Sequence, residues 1–154
     1  MVNKFSIVLS EEQMQQDLSQ NIADFLKNKT CITYLSGQMG AGKTALIRSI
    51  LYKMNYTGNV TSPSFNLINV YDLKTPIIHC DLYRFKNFDA PEMLMIDDYY
   101  NTANYFIEWP ENAAPKTIPA ADIIIDIKPA NNYNSRLYTI ISHNEKYVFS
   151  YKKS

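Results

Sequence analysis

An α/β fold built on a mixed β-sheet, antiparallel in part and flanked by helices, is predicted by three features of this 154-residue chain. At residues 31–54 a short β-branched strand runs through a glycine-rich turn into an amphipathic helix. Strand-like runs outnumber helical ones along the whole sequence. Several connections are too short for a crossover helix, so some neighbouring strands must run antiparallel.

The elements follow in order. Ser10 with Glu11, Glu12 and Gln13 reads as a capping box, in which the Ser10 hydroxyl accepts a backbone N–H and Gln13 reaches back to the cap. Leu18, Ile22, Phe25 and Leu26 recur at helical spacing and form a core-facing stripe that ends near residues 27–29. Residues 31–36 form a strand between Thr30 and Gly37, and a helix spans about 43–54 with Leu46, Ile47, Ile50 and Leu51 inward. Thr61, Ser62 and Pro63 interrupt the chain before strands at 65–71 and 77–81, which the turn at 72–76 can join as a hairpin. Asp89, Ala90 and Pro91 start a third helix that runs to about Asp97. Further strands are expected at 105–109, 122–127, 136–142 and 147–151.

Composition narrows the function classes. The length and a 46% hydrophobic content suit one domain over residues 1–154 with a real core. Fifteen basic and fifteen acidic residues balance, which argues against a strongly basic nucleic-acid surface. Cys31 and Cys80 sit in apolar runs without a CxxC or histidine-rich neighbour, so both read as buried thiols of a reducing compartment. No run approaches the ~20 apolar residues of a membrane span, and a cytoplasmic protein with no membrane partner is expected.

The chemistry is concentrated in Gly37, Gln38, Met39, Gly40, Ala41, Gly42, Lys43 and Thr44, which fit G-x-x-x-x-G-K-[ST] between a strand and a helix. This is the phosphate-loop pattern, and it makes a P-loop NTPase fold the specific expectation. Glycines allow the backbone to turn its N–H groups inward as an anion nest at the positive end of the following helix. Lys43 can then reach β- and γ-phosphates and the Thr44 hydroxyl can ligate magnesium, with Ala45 completing the loop's contacts. Three of the four glycines of the chain fall within these residues, which favours a phosphate site over an unrelated glycine turn. Three acids end apolar strands, Asp81, Glu108 and Asp126, and periodicity cannot choose the magnesium partner among them.

In order and spacing, GQMGAGKT, VTSPSF at 60–65, HCDLYRF at 79–85 and IEWPE at 107–111 resemble the TsaE family, also called YjeE. The resemblance covers roughly residues 5–142. It implies a slow, magnesium-dependent P-loop ATPase stimulated by TsaB and TsaD partners. The process implied is N6-threonylcarbamoylation of adenosine 37 in tRNAs reading codons that begin with adenosine, with any tRNA contact indirect or within the complex. It places Thr61 in a switch-like segment, makes Asp81 necessary for hydrolysis and gives Glu108 the magnesium together with Thr44. It puts Glu11 and Arg136 near the adenine end of ATP and demotes Asp126 to a structural role. Gln38 and Met39 in the loop, Ser64 and Cys80 depart from the family's usual residues, and only the Gln38 change touches the phosphate site. His79 reads either as a buried strand histidine or as part of the switch region, with no catalytic role assigned.

The loop alone would also serve a small-molecule or nucleotide kinase, although the chain shows no arginine-rich lid and is short for an acceptor pocket. It would equally serve a module that holds nucleotide without hydrolysing it. The several strand-end acids argue against that module.

Overall fold

Seven strands form one sheet in the order β1-β7-β6-β2-β5-β4-β3 in a computed structural model describing residues 2–153, so the two end residues of the expected domain lie outside it. The strands are β1 (Asn3–Ser10), β2 (Ile32–Ser36), β3 (Ile68–Tyr71), β4 (Ile77–Asp81), β5 (Asn104–Glu108), β6 (Ile123–Pro129) and β7 (Ser135–Ser142). β6, β2, β5 and β4 run parallel at the centre. β1–β7, β6–β7 and the β3–β4 hairpin pair antiparallel, which gives the mixed sheet its antiparallel flanks.

Strand parity sorts the side chains onto two apolar layers. On one face Leu35, Ile77, Phe106 and Ile125 meet the helices through Leu18, Ile22, Leu46, Ile47 and Ile50. On the other, Ile32, Ile78, Cys80, Tyr105 and Ile107 are covered by Leu82, Phe88 and Leu94. All five residues of β4 and of β5 are buried, as expected of parallel strands covered on both faces. Because side chains alternate, His79 and Asp81 share the helix face with Ile77, and Glu108 shares it with Phe106.

The first helical stretch starts from the expected capping box, with Gln13 N–H donating to Ser10 Oγ and Ser10 N–H donating to Gln13 Oε1. It comprises α1 (Glu11–Gln13), a π-helical segment at Met14–Leu18 and α2 (Ser19–Leu26). α3 (Lys43–Lys53) buries the four apolar residues expected of it. Both cysteines are buried and free; burial pushes the Cys31 thiol up to about 12 and the Cys80 thiol further in the same direction.

Three expected elements are corrected, and one strand that was not expected is added. The helix from Asp89 to Asp97 is a 3-10 turn at Pro91–Leu94 followed by α4 (Ile96–Tyr99), because Met95 between them is left-handed at φ 55. The strand at 65–71 is confined to β3, since Asn66 N–H closes a turn onto Pro63 O and Leu67 has φ 69. Residues 147–151 form no strand. There the Asn21 amide both donates to Lys152 O and accepts from Lys152 N–H, while Phe149 packs against Phe5 and Phe25. The seventh strand is instead β1, whose alternating Phe5, Ile7 and Leu9 gain their partners from the distant β7.

Candidate functional site

β2 delivers the chain at its carboxyl end into the loop 37–42, and α3 leaves that loop toward the helix layer. Parallel sheets commonly place ligands at this end, where the connections diverge. Gly37 closes against the sheet: a Cβ built on it would stand 2.6 Å from Ile127 O. Gly42, the residue before α3, has φ 103, which L side chains rarely adopt. The first N–H groups of α3 have no intrahelical acceptor and bring the positive end of the helix dipole into the loop. Gly37→Ala is expected to displace the loop and to lower nucleotide affinity by about tenfold or more, as judged from the 1–3 kcal/mol typical of stored backbone strain. Calorimetric titration of the variant with ATP measures this.

Lys43 is buried, with Nζ donating to Gly37 O at 2.6 Å and to Gln38 O at 3.2 Å. The same ammonium lies 4.1 Å from the centre of the Trp109 ring, whose residue is left-handed at φ 57 and starts a short turn at Pro110. Burial lowers the Lys43 pKa from the ordinary lysine value, while Glu108, Glu111 and Asp81 act in the opposite sense. The cation is thus held at the loop by carbonyl dipoles and an aromatic face, with no carboxylate among its hydrogen-bond partners.

Asp81 and Glu108 are paired residues at the ends of β4 and β5, both almost fully buried. The Thr44 hydroxyl donates to Glu108 Oε1 at 2.8 Å. Asp81 Oδ2 accepts from Ser62 Oγ at 2.8 Å and Oδ1 from the Tyr83 N–H at 2.9 Å. Lys43, Thr44, Ser62, Asp81 and Glu108 line a cavity of about 320 Å³. A hydroxyl beside a carboxylate, facing a space with an anion nest, suits magnesium, which is usually held by one or two carboxylates together with phosphate oxygens. Among the described residues no cluster of three His, Cys, Asp or Glu offers an all-protein metal cage.

A second cavity, of about 480 Å³, shares Gly40, Ala41, Gly42 and Ala45 with the first and is bordered by Ser10, Glu11, Arg136 and Tyr138. The capped start of α1 and the start of β7 therefore meet beside the loop, because β1 and β7 are paired along their whole length. Gln38 sits on a neighbouring depression with Tyr133 and Arg136, and Met39 is exposed at the mouth of the first cavity.

Thr61 is not among the residues lining the first cavity; its carbonyl accepts from Asn69 Nδ2 at 3.0 Å and from the Tyr71 hydroxyl at 3.4 Å. The neighbouring Ser62 and Ser64 line the cavity instead. Ser62, the residue in contact with Asp81, was legible only as part of a turn. Asp126 sits beside Ser36 on β6 and pairs with Lys128 at 2.9 Å, away from the cavity.

Residues 9–138 match the family model for the threonylcarbamoyl adenosine biosynthesis protein TsaE. The chain belongs to the TsaE family. It is 40% identical over 101 residues to the tRNA threonylcarbamoyladenosine biosynthesis protein TsaE of Haemophilus influenzae, a match covering 64% of this chain and 63% of that relative. The protein of the same name from Aquifex aeolicus is 31% identical over 150 residues, 96% of each chain. The crystal structure of YdiB from Bacillus subtilis superposes with a TM-score of 0.74, covering 96% of this chain and 90% of that one at 21% identity, and so shares the fold. No helix among the described residues is long and apolar enough to cross a membrane.

Proposed function

We propose that this chain binds ATP with magnesium and hydrolyses it slowly in the cytoplasm, in the tRNA threonylcarbamoyladenosine biosynthesis for which its relatives are named. TsaB and TsaD are the partners that accelerate the turnover, and tRNA is met within that complex. One juxtaposition carries the reading: Lys43 and Thr44 at the start of α3, and Asp81 and Glu108 at paired strand ends, line a single cavity.

Lys43 exchanges its two loop carbonyls for phosphate oxygens, setting a positive charge where negative charge grows as the terminal phosphoryl group is transferred to water. Thr44 and Glu108 hold the magnesium, which when bound neutralises phosphate charge and orients the phosphates. Asp81, fixed through both of its oxygens, orients the attacking water. Its contact with Ser62 ties the 61–63 segment to the state of the cavity, so that segment is the switch. Glu11, Ala45 and Arg136 border the space for the adenine end. No arginine lines the first cavity, and turnover without a partner is accordingly slow.

Phosphate release from ATP by the purified chain tests the reading, measured alone, with TsaB and TsaD, and with the metal chelated. Slow release that rises with the partners and vanishes on chelation is expected. Absence of release under every condition would overturn the ATPase, and phosphate transfer only to an added small acceptor would establish a kinase instead.

A further inference from the structure

His79 lies in the middle of β4 and is fully buried. Its Nε2 stands 2.8 Å from Glu108 Oε1. A carboxylate oxygen only accepts, so Nε2 carries the hydrogen and donates it. Nδ1 is buried and faces no partner among the described residues, a desolvation penalty that an apolar side chain of similar size would not incur. Packing alone therefore does not call for histidine at this position. The imidazole is held flat by the Tyr71 ring, at 6.3 Å between centroids and 29° between planes.

The Thr44 hydroxyl donates to the same Glu108 oxygen, also at 2.8 Å. Two donors, one from the sheet and one from α3, thus converge on Oε1. Rotation of the carboxyl group would break both bonds, and Oε2 is the oxygen left without either donor.

We propose that His79 is a positioning residue for the carboxylate of Glu108: by donating to Oε1 from within the sheet it fixes the Glu108 rotamer and reserves Oε2 for the magnesium that accompanies the nucleotide. The inference rests on the magnesium–nucleotide reading of the cavity. Hydrogen-bond partners behind a metal ligand set its orientation, and losing one typically weakens metal binding by about 10–100-fold. His79 touches neither nucleotide nor metal in this role; it acts through Glu108.

The test is calorimetric titration with a non-hydrolysable ATP analogue, in magnesium and in chelator, on the wild type, His79→Leu and His79→Gln, with melting temperatures recorded beside it. In chelator all three bind the analogue alike. Magnesium strengthens binding by the wild type; that gain falls about tenfold in His79→Leu and returns in His79→Gln, whose amide nitrogen reaches Oε1 as Nε2 does. If His79→Leu does not fold, His79→Asn, whose shorter amide stops short of Oε1, is compared with His79→Gln in the same way. A folded His79→Leu or His79→Asn that keeps the full magnesium gain overturns the role of His79. A wild-type chain that gains nothing from magnesium overturns the reading of the site beneath it, and the two failures are thereby told apart.

Discussion

Glu108→Ala is expected to reduce magnesium-dependent ATP hydrolysis by at least about 100-fold, the scale seen when a group that stabilises transition-state charge is removed. Nucleotide binding in chelator should survive, because the loop glycines remain and Lys43 donates its hydrogen bonds to Gly37 O and Gln38 O rather than to Glu108. The substitution also strips the acceptor from Thr44 and from buried His79, whose Nε2–H then has no partner. An unsatisfied buried donor costs about 1–3 kcal/mol, so the alanine variant should unfold at lower urea concentration as well. Glu108→Gln separates the two effects: the amide oxygen can still accept from both donors, so stability stays near that of the wild type, while hydrolysis falls as in the alanine variant. Wild-type turnover in a folded Glu108→Gln would remove Glu108 from the metal site.

Lys43→Ala is expected to weaken ATP binding by about 100-fold and to leave no measurable turnover. A hydrogen bond to a charged group contributes about 1.5–3 kcal/mol, and each 1.4 kcal/mol is a factor of ten in affinity. Stability should change little. Lys43 is buried in the folded chain, which costs its ammonium hydration and lowers its pKa, and truncation removes that penalty together with its bonds to Gly37 O and Gln38 O. Calorimetry with ATP and a thermal melt of the same sample settle both points. Tight binding by a folded Lys43→Ala would mean that the phosphates lie elsewhere.

The two variants probe groups of unequal legibility in the sequence. The loop from Gly37 to Thr44, its flanking strand and helix, and the capping box at Ser10 could be read directly, because each is a local pattern whose geometry follows from neighbours within a turn or two. The β3–β4 hairpin and the antiparallel part of the sheet followed from connection lengths. Even the failures have local shapes: Met95 and Leu67 take left-handed conformations that no composition signal announces, and each cuts short an element that periodicity alone extends.

What remained closed depended on contacts between residues far apart in the chain. β1 is a strand only because β7 lies beside it, with Asn3 opposite Ser142, and the aromatic run at 147–151 is held by rings and by Asn21. Asp81, Glu108 and Asp126 look alike as strand-end acids. The sheet order separates them: β4 and β5 run side by side and bring Asp81 and Glu108 to one cavity, while β6 lies on the far side of β2 and leaves Asp126 to Lys128. Ser62, His79 and Trp109 acquire their contacts with Asp81, Glu108 and Lys43 in the same manner, by strand pairing and by parity across the sheet. The sequence by itself thus determined the glycine-rich turn between β2 and α3, because backbone conformation and the helix terminus are set by adjacent residues. Which carboxylates, hydroxyl and imidazole gather around that turn was decided only by the tertiary structure, because long-range pairing, invisible in any single segment, chooses the neighbours of each strand end.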